Sequence, residues 1–135
     1  MKKKYKSYDK QGFATTLGWI KCHEKTLQMA IDFCCPFSEE LIKSERKISG
    51  VVAWRGAICI SRYMNGYNQK EACKSVKVNH TTLISYLKNI EKELFTTDFR
   101  IVGNIRMLTY YIEKIQKVKC NECKFELKTN SYEYR

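Results

Sequence analysis

The sequence predicts an all-α fold, and three observations carry that expectation. Apolar residues recur at helical spacing in several segments, with no convincing pair of alternating strands. Those segments are bounded by helix caps and a proline. Chain breakers are scarce, with one Pro and six Gly in 135 residues. A hydrophobic share of 44% with 13% aromatics is enough to bury a core, so wholesale disorder and collagen-like composition are excluded. The length suits one compact domain with an appendage.

The elements follow in order. Thr15 to Phe33 reads as one helix, with Leu27, Ala30, Ile31 and Cys34 along one face. Pro36 ends it, and Ser38 caps a short acidic start, Glu39–Glu40, suited to the positive end of a helix dipole; that piece is expected to extend towards Lys47. Ser49 or Gly50 to Met64 is a third helix, closed by Asn65–Gly66. Asn68 with Glu71 three residues on is a capping-box pattern opening a short helix, Gln69 to Ser75. Val76–Lys77–Val78 then turns, and Asn79 caps a helix from His80 to about Phe95, with Leu83, Leu87, Ile90 and Leu94 at spacings of four, three and four. A last helix, Asp98 to Val118, carries Ile101, Ile105, Leu108, Ile112 and Ile115 on one stripe. Two helices joined by so short a turn have the spacing of a helix-turn-helix.

Charge divides the chain. Lys and Arg number 25 against 14 Asp and Glu, a formal net charge of +11. Residues 46–118 hold 13 basic against 5 acidic side chains, whereas residues 11–45 are slightly acidic and residues 1–10 again basic. A positive field concentrated in an interior segment points to a polyanionic partner, with nucleic acid foremost. The expected organisation is therefore a basic arm and helical extension (1–45), a basic DNA-binding unit (46–118) and a tail (119–135). A protein partner or self-association would use residues 11–45. Apolar runs such as Val51–Trp54 are about four residues long against the roughly 20 that a bilayer needs, and MKKKYKSYDK lacks the apolar core of a secretory signal, so a cytoplasmic, non-membrane protein is expected.

The start of the second motif helix holds the candidate site. With Leu83, Leu87 and Ile90 buried, His80, Thr81, Ser85, Lys88 and Lys92 face outward, and Asn79 to Thr82 form the cap and first turn. In a helix-turn-helix that turn reaches base edges in the major groove. Asn pairs bidentately with adenine, and a threonine methyl packs on that of thymine. The string VNHTTLISYLKNIEKEL, Val78 to Leu94, resembles the signature of the C-terminal DNA-binding domain of the bacterial replication initiator DnaA, which carries Asp-His-Thr-Thr before an apolar helix. The resemblance spans about residues 46–118. It implies a Trp-repressor-like helix-turn-helix bundle that binds double-stranded DNA in replication or transcription control.

Carried over by position, that resemblance places major-groove contacts on His80, Thr81 and Thr82, with Asn79 in place of the family's Asp. Phosphate contacts fall on Lys77, Arg55 and Lys88, and Lys47 or Arg46 approaches the backbone or minor groove. The family's Gly-Gly-Arg turn is replaced by Val76–Lys77–Val78, and the Gln beside its helix-opening Arg by Gly56. No Walker A loop occurs, so the module is expected to lack ATPase activity; a phage-encoded or mobile-element module, or a compact regulator, fits that pattern. The rival expectation is a structural or protein-interaction module that keeps the fold and binds nucleic acid without preference or not at all.

Seven Cys, an odd number without an export signal, suit a reducing compartment. Cys120 and Cys123 form half of a zinc set, but Cys34–Cys35 and Cys22–His23 make poor second pairs, so no metal or cofactor is expected. His23 and His80 belong to no triad or paired-acid arrangement, and no enzyme is expected.

Overall fold

A computed structural model describes residues 10–127, with side chains to residue 118. Seven helices occupy it: α1 (Lys10–Leu17), α2 (Glu24–Cys34), α3 (Glu39–Ile42), α4 (Ser49–Met64), α5 (Gln69–Ser75), α6 (Thr82–Glu93) and α7 (Ile101–Leu127). The fold is all-helical, and the described residues contain no strand. None of these helices is long and apolar enough to cross a membrane.

The centre is α4, whose buried residues include Val51, Trp54, Ala57, Ile58, Cys59, Ile60 and Met64. A helix apolar on nearly every side must be covered on nearly every side, and α1, α3, α5, α6 and α7 all pack on it. Gly56 is what allows the tightest approach. A Cβ there would stand 3.0 Å from both Ile101 Cδ1 and Tyr86 Cδ1, so the glycine lets α6 and α7 close against α4.

The single helix expected over Thr15 to Phe33 is two helices. Gly18 takes φ +73°, open to glycine without penalty. Trp19 N donates to Ala14 O at 2.8 Å and Gly18 N to Thr15 O at 3.2 Å, the paired bonds of a Schellman ending. His23 then caps α2, its Nδ1 accepting from Lys25 N at 3.1 Å. The intervening loop is pinned from afar: Asn65 Oδ1 accepts from Trp19 Nε1 (3.3 Å) and Cys22 N (3.0 Å), and Asn65 Nδ2 donates to Cys22 O (3.0 Å). Ser38 caps α3 by accepting from Leu41 N, but the helix stops at Ile42, well short of Lys47.

Residues 11–45 are not a separate layer. Phe13, Leu17, Trp19, Leu27, Ala30, Ile31 and Ile42 share one core with the buried faces of α4 to α7. α2 packs on α7 as well, so a boundary at residue 45 is no break in packing. The last helix begins at Ile101 rather than Asp98, because the Glu93 carboxylate caps it: Oε1 accepts from Arg100 N (2.9 Å) and Val102 N (2.8 Å), and Oε2 from Ile101 N (3.1 Å). Its backbone runs on through Leu127, beyond the expected end.

Candidate nucleic-acid interface

The corner between α5 and α6 is built as its sequence predicts at one end and differently at the other. The capping box forms in full, with Asn68 Oδ1 accepting from Glu71 N (2.8 Å) and Glu71 Oε1 from Asn68 N (3.0 Å). At the far end of α5, Lys77 adopts φ 55°, the left-handed region that L residues rarely enter. Val78 N reaches Cys73 O and Lys77 N reaches Lys74 O, each at 3.0 Å, so this is another Schellman ending, with lysine where glycine is usual.

α6 starts at Thr82, two residues later than the expected His80. Asn79 Oδ1 accepts from both Thr81 N (3.0 Å) and Thr81 Oγ1 (3.1 Å), so the Asn closes a local turn in place of capping a continuous helix. That geometry uses both acceptor sites of its side-chain oxygen. The bidentate adenine pairing expected of Asn79 is thus not on offer in this arrangement, and Asn79 serves as a brace.

A second brace comes from α5. Gln69 Nε2 donates to the His80 carbonyl at 2.7 Å, and Cys73 Sγ lies 3.6 Å from the same oxygen. The backbone of the turn is held from below while the His80 and Thr81 side chains remain exposed; Thr82 is half-buried. Leu83, Leu87 and Ile90 are at most 1% exposed and anchor α6 to the core, each contributing about 1.5–3 kcal/mol by burial. The opposite stripe, Thr81, Ser85, Lys88 and Lys92, is exposed throughout. It carries hydroxyl and ammonium groups and no carboxylate: Glu93 is turned towards α7, and Glu91 is half-buried beside Phe95 and Arg106, off the stripe.

Lys77 and Lys88 are exposed, as is Lys47. Lys47 shares a surface groove with Asn89 and Lys92 of α6 and with Arg100, whose Nε lies 3.4 Å from Asp98 Oδ1. The first residue of α4, Ser49, lines this groove, and Ile48 at the cap makes no side-chain cap bond.

Arg55 departs from expectation. It is only 5% exposed, and its guanidinium is occupied by main-chain oxygens: Nε donates to Ile42 O at 2.6 Å, and Nη2 to Arg46 O at 3.1 Å and Leu41 O at 3.4 Å. It is not a surface cation but a clamp on the chain leading from α3 to α4, which explains why α3 ends early and why Arg46 and Lys47 follow an irregular path. Only its position in a buried helix, visible after folding, separates this arginine from a phosphate contact.

The described thiols offer no activated nucleophile. Burial raises Cys22, Cys35, Cys59 and Cys73, and Cys34 is pushed up to about 11 by burial and by neighbouring Cys35. Cys59 and Cys73 are free, their sulfurs 4.0 Å apart. The side chains of Cys120 and Cys123, the half zinc set, lie outside the described residues. Sequence reasoning missed Gln69, Glu93 and the buried role of Arg55, because each acts through backbone groups remote in sequence. No protein-family model, curated protein or solved structure matches the chain.

Proposed function

We propose that the chain binds double-stranded DNA through the α5–α6 corner, used as a helix-turn-helix, in replication or transcription control and without ATPase activity. The observation that carries this reading is the outward surface of α6. Its first turn presents His80 and Thr81, and the stripe behind them continues through Ser85, Lys88 and Lys92 without a carboxylate. In this reading His80, Thr81 and Thr82 meet base edges, while Lys77, Lys88 and Lys47 neutralise phosphates. The resemblance of Val78–Leu94 to the initiator's DNA-binding domain points the same way. The module would then work in the bacterial nucleoid or a phage-infected cell.

Selection of a preferred duplex from a random pool, followed by titration against excess competitor, tests the proposal. Wild type is expected to retain one duplex selectively, and a His80→Ala/Thr82→Ala variant to lose about 1–3 kcal/mol of discrimination per base contact. Equal affinity of both proteins for all duplexes would refute the base-reading roles. A second reading, a protein-interaction module, has its own observation: Phe33 (71% exposed) stacks edge-on with Tyr111 at 4.8 Å, beside exposed Tyr110 and Met107. Absence of any duplex retention would favour it.

A further inference from the structure

The side of the molecule formed by α2, α7 and the loop before α2 is apolar where it faces water. Ile20, Met29, Phe33, Met107, Tyr110 and Val118 lie there, each between 42% and 73% exposed, and they are six of the nine large apolar side chains that the described residues leave exposed. They adjoin one another. Phe33 and Tyr110 both pack edge-on against Tyr111, with ring centres 4.8 and 5.3 Å apart. Ile20 and Tyr110 line one groove. Met29 stands one turn before Phe33 on α2, and Cys34 Sγ lies 4.0 Å from the Met107 carbonyl. Apolar residues scattered singly over a surface need no explanation, but a contiguous band marks an interaction site.

We propose that this band is the contact between two copies of the chain, related by a two-fold axis. At half to two-thirds of a large side chain's area, the six residues offer on the order of 600 Å² per copy, close to the roughly 800 Å² per partner of a standard interface before any polar rim is added. Phe33 and Tyr110 supply the aromatic anchors on which binding energy concentrates. The charges are self-complementary. α2 carries Glu24 and Asp32 against Lys25, whereas α7 as far as Val118 carries Arg106, Lys114 and Lys117 against Glu113. Laying α2 of one copy on α7 of the other brings opposite net charges together twice, as a two-fold contact requires. The band is also distinct from the α6 surface. Tyr111 meets Phe33 on one flank of α7, and Arg106, five residues or about 140° away, borders Leu94 and Phe95 of α6 on another. Pairing of copies therefore stands independently of DNA binding.

Sedimentation equilibrium of the full chain, with a thiol reductant present so that no disulfide links copies, tests the proposal. Wild type is expected to pass from monomer to dimer at micromolar concentration. Phe33→Glu and Tyr110→Glu each put a carboxylate into the contact at an exposed position, and each is expected to raise the dissociation constant at least about tenfold with helix content unchanged. Met29→Glu serves where either variant loses its fold. Phe95→Glu, an exposed change at the end of α6, is expected to leave the dimer as it is. A wild type that stays monomeric throughout the micromolar range overturns the inference and leaves the band to a partner of other chemistry. Unchanged affinity in the folded glutamate variants overturns it too, as does equal weakening by Phe95→Glu. Growth past the dimer also refutes it, because a closed two-fold contact forbids it.

Discussion

Replacing Arg55 separates a structural clamp from a phosphate contact. In Arg55→Met the aliphatic stem is kept and the guanidinium removed. Two strong bonds are lost, to Ile42 O at 2.6 Å and Arg46 O at 3.1 Å, with a weaker one to Leu41 O at 3.4 Å. Hydrogen bonds from a charged donor contribute about 1.5–3 kcal/mol each, and a carbonyl left buried without a partner adds to the loss. The expected destabilisation is about 3–5 kcal/mol, a large part of the roughly 5–15 kcal/mol that holds a domain folded. Arg55→Lys should lose most of the same stability, because an ammonium lacks the planar fork that spans oxygens from three residues. Urea unfolding gives the stability directly. Duplex binding measured where the variants remain folded should keep the wild-type salt slope. A variant within about 1 kcal/mol of wild type, with a slope shallower by about 0.9, would refute the clamp and restore Arg55 as a phosphate ligand.

Other perturbations follow from single contacts. Glu93→Ala removes acceptors from three backbone N–H groups at the start of α7 and should cost about 1–2 kcal/mol in urea unfolding, with Glu93→Gln between it and wild type; a cost under about 0.5 kcal/mol would contradict the cap. Lys77→Gly relieves a left-handed lysine and, after the added freedom of the unfolded chain, should stabilise by about 0.5–1 kcal/mol while making the DNA salt slope shallower by about 0.9; a lower Tm would argue against the turn geometry. Burial pushes the Tyr86 phenol up from 10.0 to about 12. In the unfolded chain it ionises near 10, so its contribution is full below that pH and declines as pH rises towards 12. Tyr86→Phe should therefore lose less stability than wild type between about pH 9 and 11, and equal losses would contradict the buried phenol.

The helices legible in the sequence were those whose boundaries are local. Asn68 and Glu71 form the capping box that their spacing predicts, α5 spans Gln69–Ser75 as expected, and α4 begins at Ser49 and ends at Met64 before Asn65–Gly66. The apolar period of α6 likewise identified Leu83, Leu87 and Ile90 as its buried face. The start of α6 was shifted by the local Asn79–Thr81 turn, but three other misread boundaries depend on partners outside the helix they bound. The break at Gly18 is held by Asn65, the early end of α3 by Arg55, and the start of α7 by Glu93.

By itself, then, the sequence determined an all-helical chain, a short-turned helix pair and a concentration of positive charge, since caps, period and composition act over a few residues. Tertiary structure alone decided which polar groups were left facing solvent. It drew Arg55 inside, used the Asn79 oxygen within its own turn, and kept His80, Thr81, Ser85, Lys88 and Lys92 outside. The physical reason is that buried backbone groups require hydrogen-bond partners, and those partners come from wherever packing places a donor or acceptor.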